Sequence, residues 1–182
     1  TALACLARRA GRKVSLWSRD PAISRAVAGQ RRNPVYLPDL TLDEGIEAVP
    51  DLSHLRAADA LLLVCPAQAV RDLARQLPGG APVVICAKGI EASSGLLMPE
   101  VLSEALPRRA FAMLSGPSFA MEVARQLPTA ILIACQDGAA TERVQAEEPG
   151  ADDEREPDQE QPRVAPLRQR ATGWRLIRSI NI

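Results

Sequence analysis

Lys88 is one of only two lysines in the chain, and it stands where a lysine can act. It follows the apolar run at residues 82–87 (PVVICA) and opens Lys88-Gly89-Ile90-Glu91. An ammonium at the carboxyl end of a strand points into the crevice where open α/β sheets take ligands, and there it can hold a phosphate or polarise a carbonyl. Gly89 lets the backbone turn sharply. A solvated turn lysine is the alternative. A second cluster is Ser115-Gly116-Pro117-Ser118-Phe119-Ala120, after the strand-like run at 110–114. Gly-Pro turns the chain and Ser118 is placed to cap a helix, whose free N–H groups can meet an anionic or hydroxylated ligand; a plain capped helix explains the same residues. The third is Ser18-Arg19-Asp20, after residues 13–17 (KVSLW). In a dinucleotide site, an arginine at the end of the second strand can accept a ribose 2′-phosphate, and an acid there favours the free 2′-hydroxyl. Asp20 reads as the cap of the next helix, which leaves Arg19 as ligand or as solvated surface.

Other chemistries find little support. The four cysteines, Cys5, Cys65, Cys86 and Cys135, form no CxxC pair, and His54 is the only histidine. Zinc-ligand spacing is therefore absent, and buried free thiols of a cytoplasmic protein are the expectation. A Ser-His-Asp triad would have to use His54, which lies in the polar stretch Asp51-Leu52-Ser53-His54 and reads as a surface residue.

The elements that must position these clusters alternate. Residues 1–10 are helix-like and end at Gly11, a good helix terminator; 13–17 read as a strand. Asp20 as N-cap and Pro21 at the first position start a helix running to about Gln30. Residues 31–42 hold two prolines and read as a loop. Strand-like runs follow at 46–49, 60–65 and 82–87, with an amphipathic helix over 67–77 and another helix over 97–106. After the run at 110–114 come a helix from Phe119, a strand over 129–135 and a helix from about Ala139. Apolar strands separated by helices predict a parallel sheet covered on both faces.

Composition changes near residue 146. Residues 147–160 carry eight acids and one arginine, and residues 163–178 carry five arginines and no acid. Such blocks bury too little apolar surface to offset chain entropy, so 147–182 reads as a tail, disordered over 147–173, with a short strand or amphipathic turn open for 174–180. The chain has 182 residues and balances 22 basic against 22 acidic side chains. That balance argues against a dedicated nucleic-acid binder. No apolar run reaches the roughly 20 residues of a membrane helix, and no signal-peptide pattern opens the chain; a cytoplasmic location is expected.

Taken in order, the words TALACLARRAGRKVSLWSRDP, RRNPVYLPD, LLLVCPAQAVRDL, AKGIEASSGLLMPEVL and LSGPSFAMEVARQLPTAILIAC resemble the bacterial soluble type of NAD(P)-dependent glycerol-3-phosphate dehydrogenase over about residues 1–145. The resemblance implies a Rossmann-like, doubly wound, mostly parallel α/β domain over 1–146. It also implies reduction of dihydroxyacetone phosphate to sn-glycerol 3-phosphate with NAD(P)H, feeding glycerophospholipid synthesis, with NAD or NADP as cofactor and a small-molecule substrate as partner. By the same resemblance Arg19 falls near the adenosine ribose, Lys88 touches cofactor and substrate, Gly116 and Ser118 bind substrate, and Ala120 contacts cofactor. Tyr36, in NPVYLP, would line the cofactor pocket. Trp17 and Phe119 read as core.

The departures carry expectations of their own. The family's first strand and glycine-rich loop would precede Thr1. Its general acid/base lysine, in a GG-x-x-KN motif of a later helical domain, has no counterpart in residues 146–182. The 182-residue polypeptide is therefore expected not to turn over alone. A non-catalytic dinucleotide-binding module and a truncated fragment without function stay open as alternatives, and so does oligomeric state.

Overall fold

The computed structural model describes residues 1–116, 120–125, 127, 130–135 and 175–181. Their order is α1 (Ala2–Arg9), β1 (Val14–Leu16), α2 (Pro21–Gln30), β2 (Ile46–Ala48), β3 (Leu61–Leu63), α3 (Val70–Gln76), β4 (Val83–Ile85), α4 (Met98–Ala105), β5 (Phe111–Ser115), α5 (Ala120–Ala124), β6 (Ala130–Cys135) and β7 (Arg175–Asn181). Short 3₁₀ turns at Leu52–Leu55 and Ala67–Ala69 precede β3 and α3. None of the described helices is long and apolar enough to cross a membrane.

Local chemistry accounts for the helix ends. The Asp20 carboxylate accepts the Ala22 N–H at 2.8 Å, Pro21 takes the first helical position, and α2 ends at Arg31 in the left-handed region (φ 54°). Satisfying that free N–H is worth about 1 kcal/mol. Asp20→Ala is accordingly expected to lower stability by about 1 kcal/mol, read as a shift of the urea midpoint at unchanged slope. α1 gives way at Gly11, with φ 75°. In α4 the Glu100 carboxylate reaches back to the Leu97 N–H at 2.8 Å, and Pro99 lies in the first turn.

The α/β architecture and its parallel strands agree with the expectation, and two features of the sheet depart from it. The strands form two sheets rather than one: β1 pairs with β2, and β3-β4-β5-β6-β7 form the larger sheet. The pairs β1–β2, β3–β4 and β4–β5 are parallel, whereas β6 runs antiparallel to β5 and to β7. The split arises because β1 and β2 bond to each other and no described strand bridges β1 to β3. The reversal follows α5, which lies on α1 and Leu37, with Ala2, Leu37, Val123 and Ala124 buried together; the chain then re-enters the sheet in the opposite sense. Arg175–Asn181, for which strand and turn stood open, is β7. The expected helix from about Ala139 and the expected disorder of 147–173 lie outside the described residues.

The main core lies where α3 and α4 cover the larger sheet. Leu63, Val83, Ile85 and Phe111 meet Val70, Leu73, Val101 and Leu102 there. Residues of β4 are buried on both faces, as a central parallel strand requires. A second cluster, built on Cys5, Ile23, Val27, Leu42 and Ile46, joins α1 and α2 to the small sheet. Trp17, expected as core, is partly buried and packs on the main cluster, although it follows directly on β1.

Candidate functional site

The site is built at the carboxyl ends of β4 and β5. These strands run parallel with Ile85 opposite Met113, so the residues that leave them emerge side by side. Lys88 leaves β4 and Gly116 leaves β5. The Lys88 Nζ donates to the Gly116 carbonyl at 2.7 Å, and the lysine side chain is exposed. Two residues separated by 28 positions, both singled out in the sequence, thus meet through a charged hydrogen bond. Ser118, expected beside them, lies outside the described residues, as does Phe119.

Arg19 leaves β1 at the corresponding end of the small sheet. It is exposed, and among the described residues no carboxylate or carbonyl pairs with it. Its charge is felt by the Cys65 thiol, which follows β3; that places Arg19 toward the same edge of the molecule as the end of β3. Ala120 is the exposed first residue of α5. Tyr36 is 68% exposed in a loop bridged between Asn33 and Leu37, and a ring so open lines no closed pocket among the described residues. Buried Asn33 orders this loop: its Oδ1 accepts from the N–H groups of Val35 and Tyr36, and its Nδ2 donates to the Thr1 hydroxyl at 2.7 Å. Leu37, next to Tyr36, packs on α5, so the segments carrying Tyr36 and Ala120 are joined.

His54 is exposed, and its Nδ1 lies 3.2 Å from Asp51. The Ser53 hydroxyl donates to the same Asp51 carboxylate rather than to His54, so the three residues form a capped turn and not a nucleophile activated by an imidazole. Cys5 and Cys135 are buried, while Cys65 and Cys86 are only partly so. Burial pushes the Cys86 thiol up to about 12, with the nearby Cys65 adding to it, which makes it a poor nucleophile.

A polar network on the loop that follows Lys88 was not legible in the sequence. Arg71 of α3 donates to both oxygens of the Glu91 carboxylate, with Nε at 2.9 and 3.1 Å and Nη2 at 2.7 Å, and its Nη1 reaches Glu104 at 2.8 Å. The Ser94 hydroxyl adds a bond to Glu91 at 2.5 Å. Gln68 spans the backbone of the same loop: Nε2 donates to the Ile90 carbonyl, and Oε1 accepts from the Ala92 N–H, each at 2.9 Å. The Glu91 side chain is only 6% exposed, unusual for a carboxylate unless it is paired. The periodic helix over 67–77 was visible in the sequence. Its partners lie 20 to 33 positions away, and no local pattern announces them.

The Arg71 guanidinium, joined by the Ser94 hydroxyl, holds the Glu91 carboxyl down at about 2, against 4.5 ordinarily. A carboxyl depressed in the folded state stabilises the fold at pH above its unfolded value and loses that contribution as the pH falls through its folded value. Stability is therefore expected to fall between about pH 4.5 and 2 in part through Glu91. Glu91→Gln should flatten that portion of the urea midpoint against pH; an unchanged slope would remove Glu91 from the account.

Comparison with known proteins agrees with this fold. Residues 1–141 match a family profile described as the N-terminus of NAD-dependent glycerol-3-phosphate dehydrogenase. A glycerol-3-phosphate dehydrogenase [NAD(P)+] of Rhodospirillum rubrum is 53% identical over 147 residues, covering 78% of this chain and 42% of that protein. The Parvibaculum lavamentivorans enzyme of the same name is 49% identical over 146 residues, covering 78% and 44%. Among solved structures, glycerol-3-phosphate dehydrogenase from Coxiella burnetii superposes with a TM-score of 0.73 at 29% identity, covering 82% of this chain and 47% of that one. The Plasmodium falciparum enzyme shares the fold at a TM-score of 0.69 and 20% identity. The chain spans less than half the length of the curated relatives it matches.

Proposed function

Because the chain belongs to the family of NAD-dependent glycerol-3-phosphate dehydrogenase N-terminal domains, we propose that it forms the NAD- or NADP-binding half of a glycerol-3-phosphate dehydrogenase activity. That activity interconverts dihydroxyacetone phosphate and sn-glycerol 3-phosphate in the cytoplasm and feeds glycerophospholipid synthesis. The supporting observation is the Lys88–Gly116 contact at the carboxyl ends of two adjacent parallel strands, the position at which open α/β sheets take their ligands.

The residues present fit a dinucleotide. Arg19 offers an exposed cation for the adenosine end, suited to a 2′-phosphate as well as to a free hydroxyl. Lys88 serves both cofactor and substrate. Its ammonium already holds one carbonyl oxygen and can exchange that partner for an oxygen of the substrate, steadying the charge that develops there during reduction. Gly116 and Ser118 carry the substrate, Ala120 the cofactor, and Tyr36 the rim of the cofactor site. When bound, the nicotinamide supplies the hydride, and the protein's part is orientation and electrostatic support.

The test is thermal unfolding of the 182-residue chain with and without NADPH or NADH. A ligand held only by the folded state stabilises by about 2.7 kcal/mol at roughly 100 times its Kd. An upward shift of several degrees is expected. A transition indifferent to both dinucleotides would defeat the proposal.

A further inference from the structure

We infer that the Gln68 side-chain amide, anchored by the Arg71–Glu91 pair, is a positioning device for the Lys88 ammonium. The inference rests on Lys88 being a ligand-contacting residue, as proposed above. The strand that carries Lys88 ends at Ile85, so β4 does not itself fix where residues 88–92 run. Beyond the Ile90–Leu97 bridge and the turn bonds from the Glu91 N–H to the Leu96 carbonyl and from the Gly95 N–H to the Glu91 carbonyl, the path after Lys88 is held from the side, by residues of the 3₁₀ turn Ala67–Ala69 and of the first turn of α3. The Ala67 methyl lies close against Gly89: a Cβ on Gly89 would meet it at 3.3 Å, tighter than ordinary contact, and Gly89 has φ +130°, which disfavours any side chain there. Gln68 then bridges the Ile90 carbonyl and the Ala92 N–H, satisfying a loop acceptor and donor two residues apart as a neighbouring strand would. Arg71 clamps Glu91 through both carboxylate oxygens, the directional pairing of which guanidinium is capable and ammonium is not. Three side chains thus register residues 89–92 against the start of α3, and the Lys88 stem projects from the near end of the segment they hold.

A role in folding alone and a role in positioning are separable here because Gln68 is exposed. Removing its amide hands two backbone groups to water and buries nothing unsatisfied, so the melting temperature should hardly move. The lysine should move instead. Trace acetylation of the full chain, read by mass spectrometry, compares Lys88 with Lys13 as an internal standard. In Gln68→Ala the Lys88 to Lys13 ratio is expected to change by about threefold, the effect of losing hydrogen bonds of ordinary strength. Gln68→Glu, which keeps the acceptor and loses the donor, should fall between. NADPH Kd should rise by a similar factor in Gln68→Ala and show no further rise when Gln68→Ala is added to Lys88→Ala. An unchanged acetylation ratio, or an equal loss of NADPH affinity with and without Lys88, overturns the inference. A changed ratio in a chain that never binds NADPH would leave the positioning standing and defeat the cofactor reading.

Discussion

Lys88→Ala is expected to raise the Kd for NADPH at least tenfold while leaving the ligand-free melting temperature within about a degree. The second half follows from exposure: among the described residues the side chain makes one bond, to the Gly116 carbonyl, and it lies at the surface. Surface changes of this kind usually stay within about 0.5 kcal/mol. The first half follows from charge. A hydrogen bond to an ionised group contributes about 1.5–3 kcal/mol, and a tenfold loss corresponds to about 1.4 kcal/mol. In a melting experiment at roughly 100 times the wild-type Kd, a tenfold loss cuts the ligand's stabilisation from about 2.7 kcal/mol to about half that. Lys88→Arg keeps the charge and changes the shape, so a partial recovery would separate electrostatic support from the point geometry of an ammonium. Equal NADPH shifts in wild type and Lys88→Ala would take Lys88 out of the cofactor site.

The second large effect is structural. Ile85 is fully buried in β4, flanked by Leu63 of β3 and Met113 of β5, and it belongs to the cluster containing Val101 and Leu102. Ile85→Ala removes three carbons from a site whose neighbours are tied by two ladders and two helices, so the space cannot close. A cost of about 2–5 kcal/mol is expected, or a fall in melting temperature of roughly 5–15 °C. Ile85→Val should cost about 0.5–1.5 kcal/mol. Calorimetry reads both, and a cost for the alanine variant no larger than for valine would mean that the core relaxes around the loss. Because Lys88 lies three residues beyond Ile85, the alanine variant also asks whether the ligand site outlives loosening of the strand beneath it.

How much of this was legible in the sequence depended on how far apart the interacting residues lie. Asp20 and Pro21 announced α2 because a cap and its helix are adjacent. The strands β3, β4 and β5 were visible as uninterrupted apolar runs; β4 is central and buried on both faces, whereas β3 carries the same run at the edge of the sheet with Leu62 exposed. Lys88 and Gly116 stood out because each follows such a run, and parallel neighbours must end together. Strand direction was less accessible: an antiparallel return at β6 and a parallel one leave the same apolar pattern in the residues 130–135 themselves. The Gln68, Arg71 and Glu91 network was invisible for a different reason. A charged residue on a helix reads as solvated surface until its partner, 20 positions away, is brought to it by the fold.

The two sheets and their separate clusters have a consequence for cooperativity. One cluster ties α1 and α2 to β1 and β2; the other ties α3 and α4 to β3, β4 and β5. Among the described residues no backbone ladder crosses between the sheets, and the two units meet through side-chain packing such as that of α5 on α1, so one can open while the other stays closed. Native-state amide exchange should resolve them as two units of unequal opening free energy, with the amides of β4, buried and bonded on both sides, exchanging last. Trp17 spans the divide, leaving β1 and packing on the main cluster. Its fluorescence would therefore report the undocking of the first unit before the second has unfolded.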